Sequence, residues 1–224
     1  MKYIENIEFL NPTNANHFGV NIRKKDGLLM TRENYCTINN KSSIRKGKIY
    51  SDEWCKKHFL NCMENFDLNI KHFSKLNHEE FNNSILDFLE KNKNFQEVKN
   101  LNDYSNKSGY YIIALDKYKQ VYAGTTNDIK KRIMTHWSKT KEFDRLLLPV
   151  GNVNSSILSI DSFRALDTSR IYAYPCDEIF SYEDRYINFF PPQFRSNRIG
   201  GGLMPDGPAG FIQAVATMKM RDLT

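Results

Sequence analysis

Apolar residues change their spacing part-way along this chain. From Gly109 the run GYYIIAL is continuous and built of β-favouring residues, so it reads as a strand. Asp116-Lys117-Tyr118-Lys119 reads as a turn and QVYAG as the returning strand. With those four residues as the loop, Ile113 faces Tyr122 and Tyr111 faces Gly124. Tyr111 and Tyr122 then lie on one sheet face as diagonal neighbours. Beyond the hairpin the period becomes helical. Ile129, Ile133 and Trp137 form a stripe spaced for burial, and Arg132 and His136 form a second pair one turn apart at its edge. Thr126 or Asn127 is the expected cap, with Asp128 in the first turn, where the helix dipole favours an anion. Arg170 to Tyr174 reads as a third strand. Ser181 opens a short helix with Asp184 at the capping-box position, and Pro191-Pro192 ends it. Glu183, Ile187 and Phe190 share one face of that helix. A carboxylate is thus aligned with an apolar stripe, which costs energy unless the charge is paired or metal-bound.

The first half is patterned differently. VNIRKKDGLLM carries Asp26-Gly27 between apolar flanks and reads as a hairpin, followed by a basic patch at Arg45, Lys46 and Lys48. Helices are expected over Asp52 to Phe66 and His78 to Lys91, the second from Phe81, Ile85, Phe88 and Leu89 at helical spacing. Asn92 to Ser108 is polar and reads as a linker. At the far end, NRIGGGLMPDGPAG reads as a loop and Ala209 to Met220 as a short amphipathic helix.

Composition adds limits. The 224 residues fit one large domain or two small ones, and 40% hydrophobic content is that of a folded chain. A net charge of +6 and a pI near 9.0 suit a polyanionic partner, although a basic surface kept for solubility reads equally well from charge alone. The four cysteines, Cys36, Cys55, Cys62 and Cys176, form no C-x-x-C pair and no zinc-spaced cluster with histidine. Cys55, His58 and Cys62 lie on an amphipathic segment and read as core rather than ligands. MKYIENIEFLNP lacks the apolar run of a signal peptide, and no stretch has transmembrane length, so a cytoplasmic protein is expected.

The second half gathers two tyrosines, an arginine, a histidine and an inward carboxylate. Phosphodiester hydrolysis uses such parts. A cation neutralises phosphoryl oxygens, a hard oxygen ligand holds a divalent metal, and a base takes a proton from water. A phenol serves as that base only when a nearby cation stabilises its phenolate. Gly109-Tyr110-Tyr111, ten residues, then Tyr122-Ala123-Gly124 resembles the signature of the GIY-YIG nuclease family. Thr125 to Arg132 resembles the family's run into its helix, with Arg132 at the catalytic arginine position and His136 at a position held by His or Tyr. Glu183-Asp184-Arg185-Tyr186-Ile187 followed by Pro191-Pro192 resembles its metal-binding glutamate helix. The resemblance covers roughly residues 109–202. Tyr110 and Ala123 depart from the usual isoleucines. The asparagine expected twelve residues after the glutamate is Arg195 here, with Asn197 two residues later.

The resemblance implies an α+β fold of α/β/α layers around a three-stranded antiparallel sheet, here with an additional N-terminal α+β region. It implies one divalent metal, Mg²⁺ with Mn²⁺ accepted, on Glu183. Tyr111 would orient or deprotonate the attacking water, Tyr122 and His136 would help position phosphate and water, and Arg132 would stabilise the transition-state phosphate. Lys131 and either Arg195 or Asn197 are expected to contact substrate. Residues 1–100 are then an N-terminal region for nucleic-acid binding or target selection, and 101–224 the nuclease-like domain. Single features favour bland readings: strand aromatics, an edge histidine, a surface ion pair. Their joint spacing favours an endonuclease acting on DNA. The competing readings are a binding module of the same fold that has lost catalysis and an RNA-directed nuclease.

Overall fold

The computed structural model describes residues 17–20, 44–45, 48–49, 51–138, 146–147, 153, 156–158, 160, 165, 167–179 and 181–197. The hairpin expected around Asp26-Gly27 and the C-terminal loop and helix lie outside the described residues. Two short strands, β1 (Ile44–Arg45) and β2 (Lys48–Ile49), pair antiparallel with Arg45 opposite Lys48. Helix α1 (Asp52–Lys75) starts at Ser51, whose hydroxyl accepts from the Trp54 N–H at 3.1 Å. It runs nine residues past the expected end at Phe66 because Ile70 and Phe73 continue its buried stripe. Helix α2 (His78–Lys91) matches expectation, and the Asn77 side chain caps it by accepting from the N–H groups of Glu79 and Glu80.

The central sheet has four antiparallel strands rather than three. They are β3 (Gln96–Glu97), β4 (Gly109–Leu115), β5 (Gln120–Thr126) and β6 (Arg170–Pro175), in the order β3-β6-β4-β5. The additional strand comes from the expected linker. Gln96 and Glu97 pair with Ala173 and Tyr172 through backbone groups, while both side chains are exposed, so no apolar pattern announces them. The β4–β5 register is the one the hairpin reading predicts: Tyr111 opposite Gly124 and Ile113 opposite Tyr122. Lys119 closes the turn in the left-handed region, at φ 52°.

Alternation along β4 sends its side chains to two separate cores. Tyr111, Ile113 and Leu115 join Cys62, Phe66 and Phe73 of α1 and Ile129, Ile133 and Trp137 of helix α3 (Ile129–Ser138). Tyr110, Ile112 and Ala114 join Phe81, Ile85 and Phe88 of α2 and Ile187 of helix α4 (Glu183–Phe189). Residues on both sides of the expected boundary near residue 100 contribute to each core. Phe18 stacks on Trp137 with ring centres 6.0 Å apart, so the first core also reaches into the N-terminal region.

Arg170 pairs with Asp116 at the hairpin turn, through both carboxylate oxygens, and with Asn82. Asp167 lies buried near the Tyr118 hydroxyl. No helix among the described residues is long and apolar enough to cross a membrane.

Candidate functional site

Three rings meet on the α1/α3 face. The Tyr111 hydroxyl lies 2.9 Å from His136 Nε2 in a buried hydrogen bond. Tyr122 packs edge-on against His136 with centroids 4.9 Å apart and lies 6.2 Å from the Tyr111 ring. Helix α3 supplies His136 because its stripe is pinned into the sheet. Ile129, Ile133 and Trp137 are fully buried, and the Trp137 indole N–H donates to Thr168 Oγ1 at 3.2 Å. Its N-terminus is capped by Asp128 rather than by Thr126 or Asn127: Asp128 Oδ1 accepts from the Lys131 N–H at 2.9 Å, and Thr126 Oγ1 accepts from the Asp128 N–H. Arg132, one turn before His136, is half-buried, and Lys131 is exposed.

Gly124 makes room for this arrangement. A Cβ at that position would stand 2.5 Å from the Tyr111 hydroxyl, so the phenol lies directly over the glycine of the facing strand. Gly109 is required for another reason. Its φ is +148°, and a Cβ there would stand 2.2 Å from the Tyr174 carbonyl oxygen.

Glu183 reaches the same strand from the other side. Its Oε1 accepts from the Thr125 N–H at 3.1 Å, and the side chain is only 6% exposed. β5 is an edge strand, so the outward groups of alternate residues need partners. Val121 C=O accepts from the Ser196 N–H and hydroxyl, at 2.9 and 3.0 Å. Ala123 N–H donates to Asn197 Oδ1 at 3.1 Å, and Asn197 Nδ2 donates to the Ala123 carbonyl at 2.8 Å. Thr125 is served by Glu183. Asn197 and Glu183 therefore stand side by side along one edge, at residues two apart.

Arg195 goes elsewhere. Its Nη1 donates to Asn188 Oδ1 of α4 at 2.7 Å, and burial pulls the guanidinium below its ordinary pKa. Of the two candidates for the late position, Asn197 is the one beside Glu183.

The structure thus brings together Tyr111, Tyr122 and His136, with Arg132 a turn away on the same helix. It places Glu183 and Asn197 on the adjoining strand edge, with Lys131 exposed and Arg195 bonded to Asn188. The capping box expected at Ser181 is not formed. The residue before α4 is Tyr182, without a side-chain cap, and its N–H donates to the Tyr110 hydroxyl at 3.1 Å. No family model matches this chain, and neither the curated proteins nor the solved structures contain a match.

Two contributors escape the sequence reading. Thr125 acts through its backbone N–H, which carries no residue signature. Tyr110 reads as strand packing, and only the tyrosine where an isoleucine is usual marks it.

Proposed function

We propose that this chain is a metal-dependent endonuclease of the GIY-YIG type that hydrolyses phosphodiester bonds, with DNA as substrate. One juxtaposition carries the reading: the Tyr111 hydroxyl lies over Gly124 while the Glu183 carboxylate holds the next amide, at Thr125. A candidate general base and a candidate metal ligand therefore converge on consecutive residues of one strand.

The donor set fits a hard divalent ion. Glu183 is a carboxylate with one amide on Oε1, and a carboxylate has lone pairs for further partners. Among the described residues, no group of three or more His, Cys, Asp or Glu side chains gathers. A carboxylate whose shell is completed by water suits Mg²⁺ or Mn²⁺. Bound there, the ion would supply charge neutralisation for a phosphoryl oxygen.

The chain's own residues do the rest. His136 orients the Tyr111 hydroxyl and can accept its proton through Nε2, which readies the phenol oxygen to take one from water. Tyr122, held edge-on by His136, flanks the position of water and phosphate. Arg132 brings a planar cation that matches two phosphate oxygens. Tyr111 and His136 are buried and Arg132 is half-buried, so water would have to reach the phenol past Tyr122 from the Arg132 side. Lys131, exposed on α3, and the net charge of +6 add non-specific attraction for the backbone.

The complete burial of Tyr111 favours a second reading, a nucleic-acid-binding module without catalysis. Purified protein with Mg²⁺ or Mn²⁺ on plasmid, single-stranded DNA and RNA decides between them. Wild type is expected to nick plasmid, and Glu183→Gln, which keeps an acceptor for Thr125 but loses the charge, to bind DNA without cutting it. Wild type that binds DNA and cuts nothing at any metal concentration would establish the binding module. Preferential cutting of RNA would redirect the substrate.

A further inference from the structure

We infer that Tyr110 is a positioning residue for Glu183, acting through the backbone that enters α4; the inference rests on the reading of Glu183 as a metal ligand. Tyr110 is the middle residue of the Gly109-Tyr110-Tyr111 motif. Its side chain points away from Tyr111, into the α2/α4 core. The ring is fixed on three sides. Tyr186 meets it edge-on at 4.9 Å, Tyr174 stacks on it at 6.2 Å and Tyr182 lies 6.5 Å away. From that fixed ring the hydroxyl oxygen accepts from the Tyr182 N–H at 3.1 Å.

Tyr182 directly precedes Glu183 and makes no side-chain cap of its own, so this hydroxyl holds the backbone at the start of α4. The second hold on the same dipeptide comes from Thr125, whose N–H donates to the Glu183 carboxylate. Tyr110 and Thr125 face each other in the β4–β5 register. A single cross-strand pair thus grips Tyr182 by its backbone and Glu183 by its side chain. An isoleucine at position 110 would fill the core but offer no acceptor. Burial raises the pKa of the phenol, and the backbone N–H groups of Tyr182 and Ser181 oppose part of the rise.

The test compares Mn²⁺ binding, followed by electron paramagnetic resonance, in wild type, Tyr110→Phe, Tyr186→Phe and Glu183→Gln. Tyr186→Phe removes a hydroxyl from the same aromatic group without touching the α4 backbone. Tyr110→Phe is expected to bind Mn²⁺ about tenfold more weakly, the usual cost of losing a group that orients a ligand. Tyr186→Phe should bind like wild type, and the DNA KM should be the same in both. If Glu183→Gln binds Mn²⁺ as tightly as wild type, the metal-ligand reading fails, and this inference with it. If Glu183→Gln loses binding while Tyr110→Phe equals wild type, the positioning role alone is overturned. An equal loss in Tyr110→Phe and Tyr186→Phe also overturns it, since general packing would then account for both. Hydrogen exchange on wild type gives a result that does not depend on any variant folding. The Tyr182 amide should be protected, and exchange at the rate of unstructured amides would remove the hydrogen bond on which the role depends.

Discussion

On the α2/α4 face of the sheet, rings pack on rings. Phe88 stacks on Phe190 at 4.9 Å and meets Phe95, Tyr186 and Phe189 edge-on, and Phe81 meets Phe194. On the α1/α3 face, polar groups are sunk among the apolar ones: the Tyr111–His136 pair, Asn65, Asn69, Thr168, Asp167 and Tyr118. Both faces are buried to a similar depth, so the difference is one of purpose. An aromatic core gains from area and ring geometry and holds a shape cheaply. Buried polar groups hold shape only when each finds a partner, and they are the positions where protons and charge can be handled. The aromatic face anchors α4 and hence Glu183 at the β5 edge, while the polar face carries the proposed proton chemistry.

That division can be broken from either side. The largest effect is expected for Phe88→Ala, which should lower unfolding free energy by about 3–5 kcal/mol in urea titrations. Below its new midpoint, cleavage by the folded protein should fall as well, because Phe88 holds Tyr186 and Phe189 of α4. A folded variant that cleaves like wild type would show that the aromatic face does not anchor Glu183.

Arg132→Ala is the converse. Cleavage should fall by about 10²–10³-fold, as when a transition-state donor is removed, with little change in the melting midpoint. Robust cutting by that variant would dismantle the site assignment.

The third effect depends on pH. Burial raises the Asp167 carboxyl from its ordinary 3.8 to about 6, with the nearby Tyr118 hydroxyl and Lys117 opposing part of the rise. Neither Asp167 oxygen nor the Tyr118 hydroxyl has a hydrogen bond of good geometry. The folded chain therefore keeps a proton that the unfolded chain releases between those two pH values. Stability should fall as pH rises through that window and lose roughly 3 kcal/mol by neutrality, about two pH units at 1.4 kcal/mol each. Asp167→Asn should remove the slope and be more stable than wild type at neutral pH. An unchanged slope would assign the titration to another group.

The hairpin register and the α3 stripe are legible in the sequence because both are local. Seven-residue β-favouring runs around a four-residue turn leave one pairing, and Ile129, Ile133 and Trp137 repeat at the helical period. What escapes are features whose partners are distant or are backbone groups. β3 is two exposed polar residues held by ladder bonds alone. Asn69 donates to the Ser156 carbonyl and accepts from the Leu158 N–H, 87 and 89 residues away. Asn197 does the same to Ala123 across 74 residues. Each asparagine imitates a piece of strand, and neither imitation follows from composition or period. The end of α1 is obscured for the same reason, since Asn65 and Asn69 interrupt its apolar pattern while lying fully buried. Of the candidate site, the ring trio and Glu183 are readable as residues. That Glu183 and Asn197 share a strand edge is not.

That edge has one more consequence. A strand with open amides and carbonyls is a template for the same strand in another molecule. Ser196, Asn197 and Glu183 occupy those groups along β5. The carboxylate proposed for catalysis therefore also keeps this chain from zipping onto copies of itself. Trimming Glu183 to alanine would unmask Thr125 and invite self-association, whereas glutamine would keep the edge closed.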